Sequence, residues 1–540
     1  MKTIFKDFGI MIDCSRNSVP SVETLKRFIP LVAGMGYNSL QLYTEDTFEV
    51  EGHPYIGHQR GRYSIEDLKE LDVFAEKHGV EMIPCTQALA HLNAVLTWPK
   101  YAELRDYADI LLIGEEKTYA LLDDMFRTLR HCFKSRRIHI GMDEAHMVGL
   151  GKYLDLHGYQ NRFEILSNHL KRVIEIAKKY DFEPMMWSDM FFRLLSHGQY
   201  AWDGKPISED IKKLVPKEVD LVYWEYFGRK KASYQKMFRG HKEFGNNIWF
   251  AGGAWCWSGL APSNAFGIAT MRASIAACKD EGIDRYFATL WGDDSGECSI
   301  FSMLPSLFYA ASLNRGVTKM ADIKAQFEEY IGIPFDKFML VDLKETFLPP
   351  TNRGKFWLFN DPFAGLLDTT VDEKAIRTKY KSAARSLSRL CDHPEYGYLF
   401  SCMKAYAEAI TAKADLGVRT RKAYGEGDRE ALKDLIDDYK KAEKKIRNFH
   451  EAFYKMWMIE RHPSGFDIQD LRIGGLLQRM ASCRRRITDY LEGRVGEIPE
   501  LCEPMLDYWD RPEEEWRSPA GLNSWDSITS RNIMSHLFFG

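Results

Sequence analysis

No two of the ten cysteines, Cys14, Cys85, Cys132, Cys256, Cys278, Cys298, Cys391, Cys402, Cys483 and Cys502, form a CxxC pair or a zinc-type spacing. In a long chain that scatter speaks against a disulfide framework or a zinc module and for reduced thiols in a cytosol. An excess of one charge is missing as well. The 73 Lys and Arg against 77 Asp and Glu leave a formal net charge of -4, too weak a field to gather nucleic acid or an anionic membrane. No apolar run approaches the length of a membrane span, and residues 1–10 place Asp7 where a signal peptide needs its apolar core. Neither nucleic acid nor membrane is expected as a partner, and the expected location is cytoplasmic. Low-complexity tracts and short-period repeats are lacking too.

What is present is a long, soluble-type sequence whose texture changes once. At 540 residues it exceeds one ordinary hydrophobic core. Up to about residue 315, short β-like runs alternate with amphipathic helical ones, the pattern of repeated βα units. Eight strands are predicted, at 8–12, 38–43, 80–84, 138–142, 183–187, 219–224, 247–251 and 285–290. Eight such units suit an α/β fold closed as a (β/α)8 TIM barrel over residues 1–318. An open doubly wound sheet would carry a glycine-rich phosphate turn after its first strand, and Asp13-Cys14-Ser15-Arg16-Asn17 has no glycine. Ser64 with Asp67 three residues on marks a helix start, and His78-Gly79 its end. Beyond residue 318 the pattern predicts a mainly α-helical domain over 319–540. There Leu432, Leu435, Tyr439, Ala442, Ile446, Phe449, Phe453 and Trp457 step by three and four from a start at Asp428 to a stop before Pro463.

The chemistry gathers at the ends of the predicted strands. In Arg137-Ile138-His139-Ile140-Gly141-Met142-Asp143-Glu144 an apolar alternation meets two adjacent carboxylates. On a regular strand those two acids would face opposite ways, so both reach one cleft only where the strand ends and the backbone bends. The alternative is that Asp143 caps the next helix and Glu144 is solvated. Other strand ends carry matching groups: Asp13 and Arg16 after the first, His91 after the third, Trp187 and Asp189 after the fifth. Trp224, Glu225 and Tyr226 follow the sixth, Trp255 and Trp257 the seventh, and Trp291, Asp293 and Asp294 the eighth. Acids that move protons, an arginine that bridges hydroxyls and indoles that wall a ring make a sugar pocket. Barrel interiors are normally filled by branched aliphatics, which argues against reading all these tryptophans as packing. The long loop 44–62 adds Glu45, Asp46, His53, His58 and Arg60 at the same mouth.

These residues carry a family resemblance. Gly9-Ile10-Met11-Ile12-Asp13-Cys14-Ser15-Arg16 resembles the first-strand signature of glycoside hydrolase family 20, the β-N-acetylhexosaminidases, in which an arginine binds sugar hydroxyls. Residues 63–84, running on to His91, are similar to that family's helix, third strand and loop histidine. His139-Ile140-Gly141-Met142-Asp143-Glu144 resembles its His-x-Gly-Gly-Asp-Glu motif, and Leu290-Trp291-Gly292-Asp293 its Trp-x-acid ending. The likeness covers about residues 5–315, in the right order. Met142 stands where a second glycine is usual, and residues 250–257 lack the tyrosine with which family members hold the substrate acetamide. Tyr226 is the substitute candidate.

The resemblance implies an exo-acting, retaining β-N-acetylhexosaminidase acting on a terminal sugar of an oligosaccharide or glycoconjugate through an oxazolinium intermediate, with no metal or organic cofactor. Asp143 and Glu144 would be catalytic. Arg16, His91, Trp187, Trp224, Tyr226, Trp255, Trp291 and Asp293 would bind substrate. The rivals are a glycosidase using the same acids on a sugar without the acetamido group, a non-catalytic carbohydrate-binding barrel, and a metal enzyme built on Asp143, Glu144, His139 and His146. A second cluster, Trp457, Glu460, Arg461, Asp467 and Arg472, falls at the turn between two long helices. It either satisfies its own backbone or closes the pocket, from the same chain or from the twin subunit of a homodimer.

Overall fold

The computed structural model describes residues 3–343, 353–507, 524–530 and 532; the other parts of the predicted helical region lie outside the described residues. Eight parallel strands close into a barrel: β1 (Asp7–Asp13), β2 (Ser39–Tyr43), β3 (Glu81–Cys85), β4 (Arg137–His139), β5 (Glu183–Trp187), β6 (Asp220–Glu225), β7 (Ile248–Gly253) and β8 (Arg285–Leu290). β1 closes the ring by pairing with β8, from Asp7 opposite Arg285 to Ile12 opposite Leu290. Strand and helix alternate because each strand's outward face is apolar and needs a helix over it. Ser64 caps the helix Ile65–Lys77 with a reciprocal bond from Asp67, and Gly79 follows at φ 70°.

The barrel interior differs from the aliphatic filling expected of it. Met11, Tyr43, Ile83, Cys85, Met185, Trp187, Val222, Trp249, Ala251 and Phe287 form a separate inner core. Four of the ten are aromatic, and only Ile83 and Val222 are branched aliphatics. Below them, at the N-terminal end, Arg137 meets Asp7 at 2.9 Å and Glu81, and the Trp249 indole donates to Asp220 at 3.0 Å. That end is sealed by paired charge, which leaves the C-terminal rim as the open face.

After the barrel the described chain is helical. The helix Arg429–Glu460 starts on an Asp428 cap and buries its whole stripe from Leu432 to Trp457. It turns through His462–Gly465 into the helix Phe466–Leu491. That turn docks on the barrel: Ser21 N–H donates to Glu460 O at 3.0 Å, His462 N–H to Val19 O at 2.9 Å, and Ser299 Oγ to Glu460 Oε1 at 2.6 Å. A Cβ at Gly465, which sits at φ 94°, would lie 1.9 Å from Asn17 O, so only glycine lets the turn approach. Trp457 is fully buried, donating to His462 O at 2.9 Å. The turn therefore braces the loops after β1 and β8, and Trp457 does not reach the pocket. No helix among the described residues is long and apolar enough to cross a membrane.

Candidate active site

The strand predicted at 138–142 ends at His139, and the site begins where it ends. Gly141 and Met142 take φ of 66° and 71°, and Glu144 51°. A left-handed methionine or glutamate costs roughly 1–2 kcal/mol, so tertiary contacts must hold the bend. They do: Ile140 N–H donates to Met185 O at 2.9 Å, Trp187 N–H to Gly141 O at 3.1 Å, and Met142 N–H to Gln87 Oε1 at 2.9 Å. The bend brings Asp143 and Glu144 to one side of the rim, where His91 Nε2 lies 3.3 Å from Asp143 Oδ2 and 3.7 Å from Glu144 Oε2.

The two acids meet different surroundings. Asp143 is buried and accepts from Gln87 Nε2 at 2.7 Å. Burial works to raise its carboxyl, but the charge and hydrogen bond of His91, with Gln87, hold it below the usual range. His91 is the converse case: burial opposes its charge, yet Asp143 and then Glu45 raise it to about 10. Its backbone N–H donates to Asp109 at 2.8 Å, which fixes its left-handed φ of 57°. Glu144 is half open to solvent, its backbone N–H on Asp189 Oδ2 at 3.1 Å and its carboxylate 3.4 Å from Arg193. Asp189 is fully buried, and burial together with the Asp143 charge raises it to about 7 although Arg193 opposes that rise.

Across the rim, Arg16 follows β1. Its Nη1 lies 3.2 Å from Asp13 and 3.3 Å from Glu45, and its guanidinium covers the Tyr43 and Trp291 rings. Asp293 stands on the open side nearby; the surrounding protein raises its carboxyl more than Arg16 lowers it. The Tyr226 hydroxyl accepts from Trp291 Nε1 at 2.9 Å, and its ring stacks on Trp224 at 5.4 Å. Arg16, His91, Asp143, Glu144, Trp224, Tyr226, Trp291 and Asp293 are thus brought to one rim. Two of the expected substrate-binding indoles lie deeper than the others. Trp187 belongs to the inner core, 1% exposed and packed on His139 at 4.5 Å, so at most it floors the pocket. Trp255 is buried between Trp257, at 4.2 Å, and Phe266 of the following helix, and spends its N–H on Tyr226 O.

Sequence reasoning passed over Gln87, Arg193 and Tyr43. Arg193 had a local signal, four residues after Asp189 on the helix Asp189–Leu195, where the two side chains pair at 2.9 Å. Gln87 had none. Among the described residues His91, Asp143 and Glu144 offer three ligand atoms within 4.8 Å of one another. His91, not the expected His139, joins the two acids. His139 is buried beneath, accepts from Gly141 N–H at 3.1 Å, and is pushed down to about 3 by burial. A cation at His91 would have to displace the proton that Asp143 holds there.

An eight-stranded barrel with adjacent acids, an arginine and indole rings at its C-terminal rim defines a candidate carbohydrate site. Residues 5–243 match the model described as glycosyl hydrolase family 20, catalytic domain. Residues 335–519 match the glycoside hydrolase 20C C-terminal domain. The chain belongs to glycoside hydrolase family 20. It is similar to hexosaminidase D of Homo sapiens, 28% identical over 220 residues, and of Bos taurus, 27% over 222 residues. Those matches take in 39% of this chain and 43% and 60% of the two relatives, so the chain matches only about half of their length. Among solved structures, the GH20 exo-β-N-acetylglucosaminidase of Vibrio harveyi in complex with N-acetylglucosamine aligns over 63% of this chain and 58% of that one. Its identity is 15% and its TM-score 0.48.

Proposed function

We propose that this chain is an exo-acting, retaining β-N-acetylhexosaminidase that removes terminal β-linked N-acetylglucosamine or N-acetylgalactosamine by substrate-assisted catalysis. The observation that carries the reading is the division between neighbouring acids: Asp143 buried, paired and clamped, Glu144 half open to the pocket. A clamped carboxylate suits electrostatic stabilisation, and an accessible one suits proton exchange. The substrate's acetamide carbonyl oxygen attacks C1 while Glu144 gives its proton to the departing glycosidic oxygen. Asp143 accepts the acetamide N–H and steadies the positive charge of the oxazolinium ion. Glu144 then takes a proton from water as that water attacks C1, which reopens the ring with retained configuration. Tyr226, whose oxygen accepts from Trp291, has its own proton to offer the acetamide carbonyl.

Charge around the site supports the same reading. Asp143, held in its charged form by His91 and Gln87, places a fixed negative charge beside the pocket, suited to a cationic transition state. Arg16 and Asp293 would grip the remote hydroxyls of a terminal sugar. With ten free thiols, the enzyme is proposed to work in a reducing compartment, the cytosol. The absence of a tyrosine at residues 250–257 favours, as a second reading, a glycosidase whose sugar lacks the acetamido group. A thiazoline mimic of the oxazolinium ion separates the two. Competitive inhibition by it, with the β-anomer as the first product seen by NMR, is expected; indifference to the mimic would favour the second reading.

A further inference from the structure

Arg16 and Asp143 follow β1 and β4, and buried side chains on or just after β2 and β3 join them. Glu45 Oε1 lies 3.3 Å from Arg16 and accepts from the Tyr43 hydroxyl at 3.0 Å. Gln87 Nε2 donates to the Tyr43 oxygen at 2.8 Å and to Asp143 Oδ1 at 2.7 Å, while its Oε1 accepts from Met142 N–H at 2.9 Å. His91 continues the run from Asp143 Oδ2. The direction of every bond is set by chemistry, because a reversed Gln87 amide would turn its carbonyl on a carboxylate and its NH2 on an N–H. Tyr43 and Gln87 are fully buried and Glu45 is 8% exposed. Gly141 makes room for the run: a Cβ there would lie 2.1 Å from Gln87 Oε1.

We infer that Tyr43, Glu45 and Gln87 are positioning residues that couple the sugar-gripping Arg16 to Asp143. The inference rests on the function proposed above. A substrate hydroxyl that draws Arg16 changes how much positive charge Glu45 shares. Through Tyr43 and Gln87 that change reaches the acid beside the reacting carbon, since linked hydrogen bonds polarise one another. Grip on a remote hydroxyl is then expressed at the chemical step, as in enzymes that use remote binding to align reacting groups. Sugars lacking the hydroxyl that Arg16 holds should accordingly lose kcat as well as KM.

The test is a double-mutant cycle on the full chain with Arg16→Ala and Tyr43→Phe, using an aryl β-N-acetylglucosaminide. Tyr43→Phe deletes one hydroxyl and leaves Gln87 on Asp143 and Glu45 on Arg16. Coupling predicts about a tenfold loss of kcat from Tyr43→Phe with little change in KM, and a double mutant at least about fivefold more active than the product of the single effects requires. Effects that simply multiply would overturn the coupling. Should Tyr43→Phe fold poorly by thermal melting, Glu45→Gln takes its place, keeping an acceptor for Tyr43 while removing the charge that faces Arg16. If the wild type fails to cleave the substrate, the function reading falls instead. Coupling is then read from the His91 ring resonances, which Arg16→Ala should move further in the wild-type background than in Tyr43→Phe, the remainder being the direct charge effect of Arg16 on His91. Equal movement in both backgrounds would overturn the inference.

Discussion

Asp293 and Asp294 are consecutive residues with opposite fates. Asp293 lies on the open side of the rim, where the surrounding protein, Asp13 and Glu144 included, raises its carboxyl more than Arg16 lowers it. Asp294 turns into the junction with the helical region. There Lys355 reaches it at 2.6 Å and Glu297 at 2.7 Å, and Arg472 reaches the same two acids at 2.5 and 2.9 Å. Burial would raise the Asp294 carboxyl as well, but Lys355 and Arg472 together hold it low. Two acids against two cations make the junction a neutral, structural cluster. At the rim the balance fails: burial and neighbouring acids raise the Asp189 and Asp293 carboxyls more than Arg193 and Arg16 lower them. The difference teaches that an acid held between two cations is fixed in its charged form, whereas one with fewer cations than acids around it keeps a raised carboxyl.

Removing one member of the balanced cluster should have the largest effect. Arg472→Met leaves Glu297 and Asp294 short of a cation and is expected to lower unfolding stability by about 3–5 kcal/mol, with kcat per folded molecule within a few-fold of wild type. Urea unfolding beside active-site titration checks both halves. A stability loss near zero would place the cluster in solvent, not in the core. At the rim the pattern should invert. Glu144→Gln is expected to cost at least about a hundredfold in kcat on substrates with poor leaving groups, and less on activated aryl glycosides that need no protonation. Stability should hardly move, because the side chain is half exposed. Equal losses on both kinds of substrate would remove Glu144 from the proton transfer.

A smaller effect separates the clusters by pH. His91 is raised to about 10 in the folded chain and titrates near 6.5 when unfolded. The stability it contributes is therefore complete below about pH 6.5 and is lost as pH rises towards 10. In His91→Gln the decline of unfolding stability across that window should be shallower than in wild type. Parallel curves would show that Asp143 does not hold the proton on His91.

Much of the barrel was legible in the sequence because its strands are short apolar alternations between helices with readable caps. β5 and β8 fall at the predicted bounds, 183–187 and 285–290. β4 does not, since the left-handed turn at Gly141 and Met142 depends on Gln87, fifty-five residues from Met142, and no local pattern announces such a contact. Asp143, Glu144, Arg16 and Asp293 could be picked out because strand ends in a barrel point at one mouth. Trp187 and Trp255 show the limit of that argument: spacing places an indole near the rim but cannot tell pocket wall from inner core.

The central claim is that the clamped Asp143 and the open Glu144 act through the substrate's own acetamide. Its most direct test is kcat/KM of the wild-type chain on two aryl glycosides that differ only at C2, a β-N-acetylglucosaminide and the matched β-glucoside. The account predicts that the acetamido sugar is cleaved at least about a hundredfold faster, because without that group the site lacks its nucleophile. Equal rates on the two would contradict it.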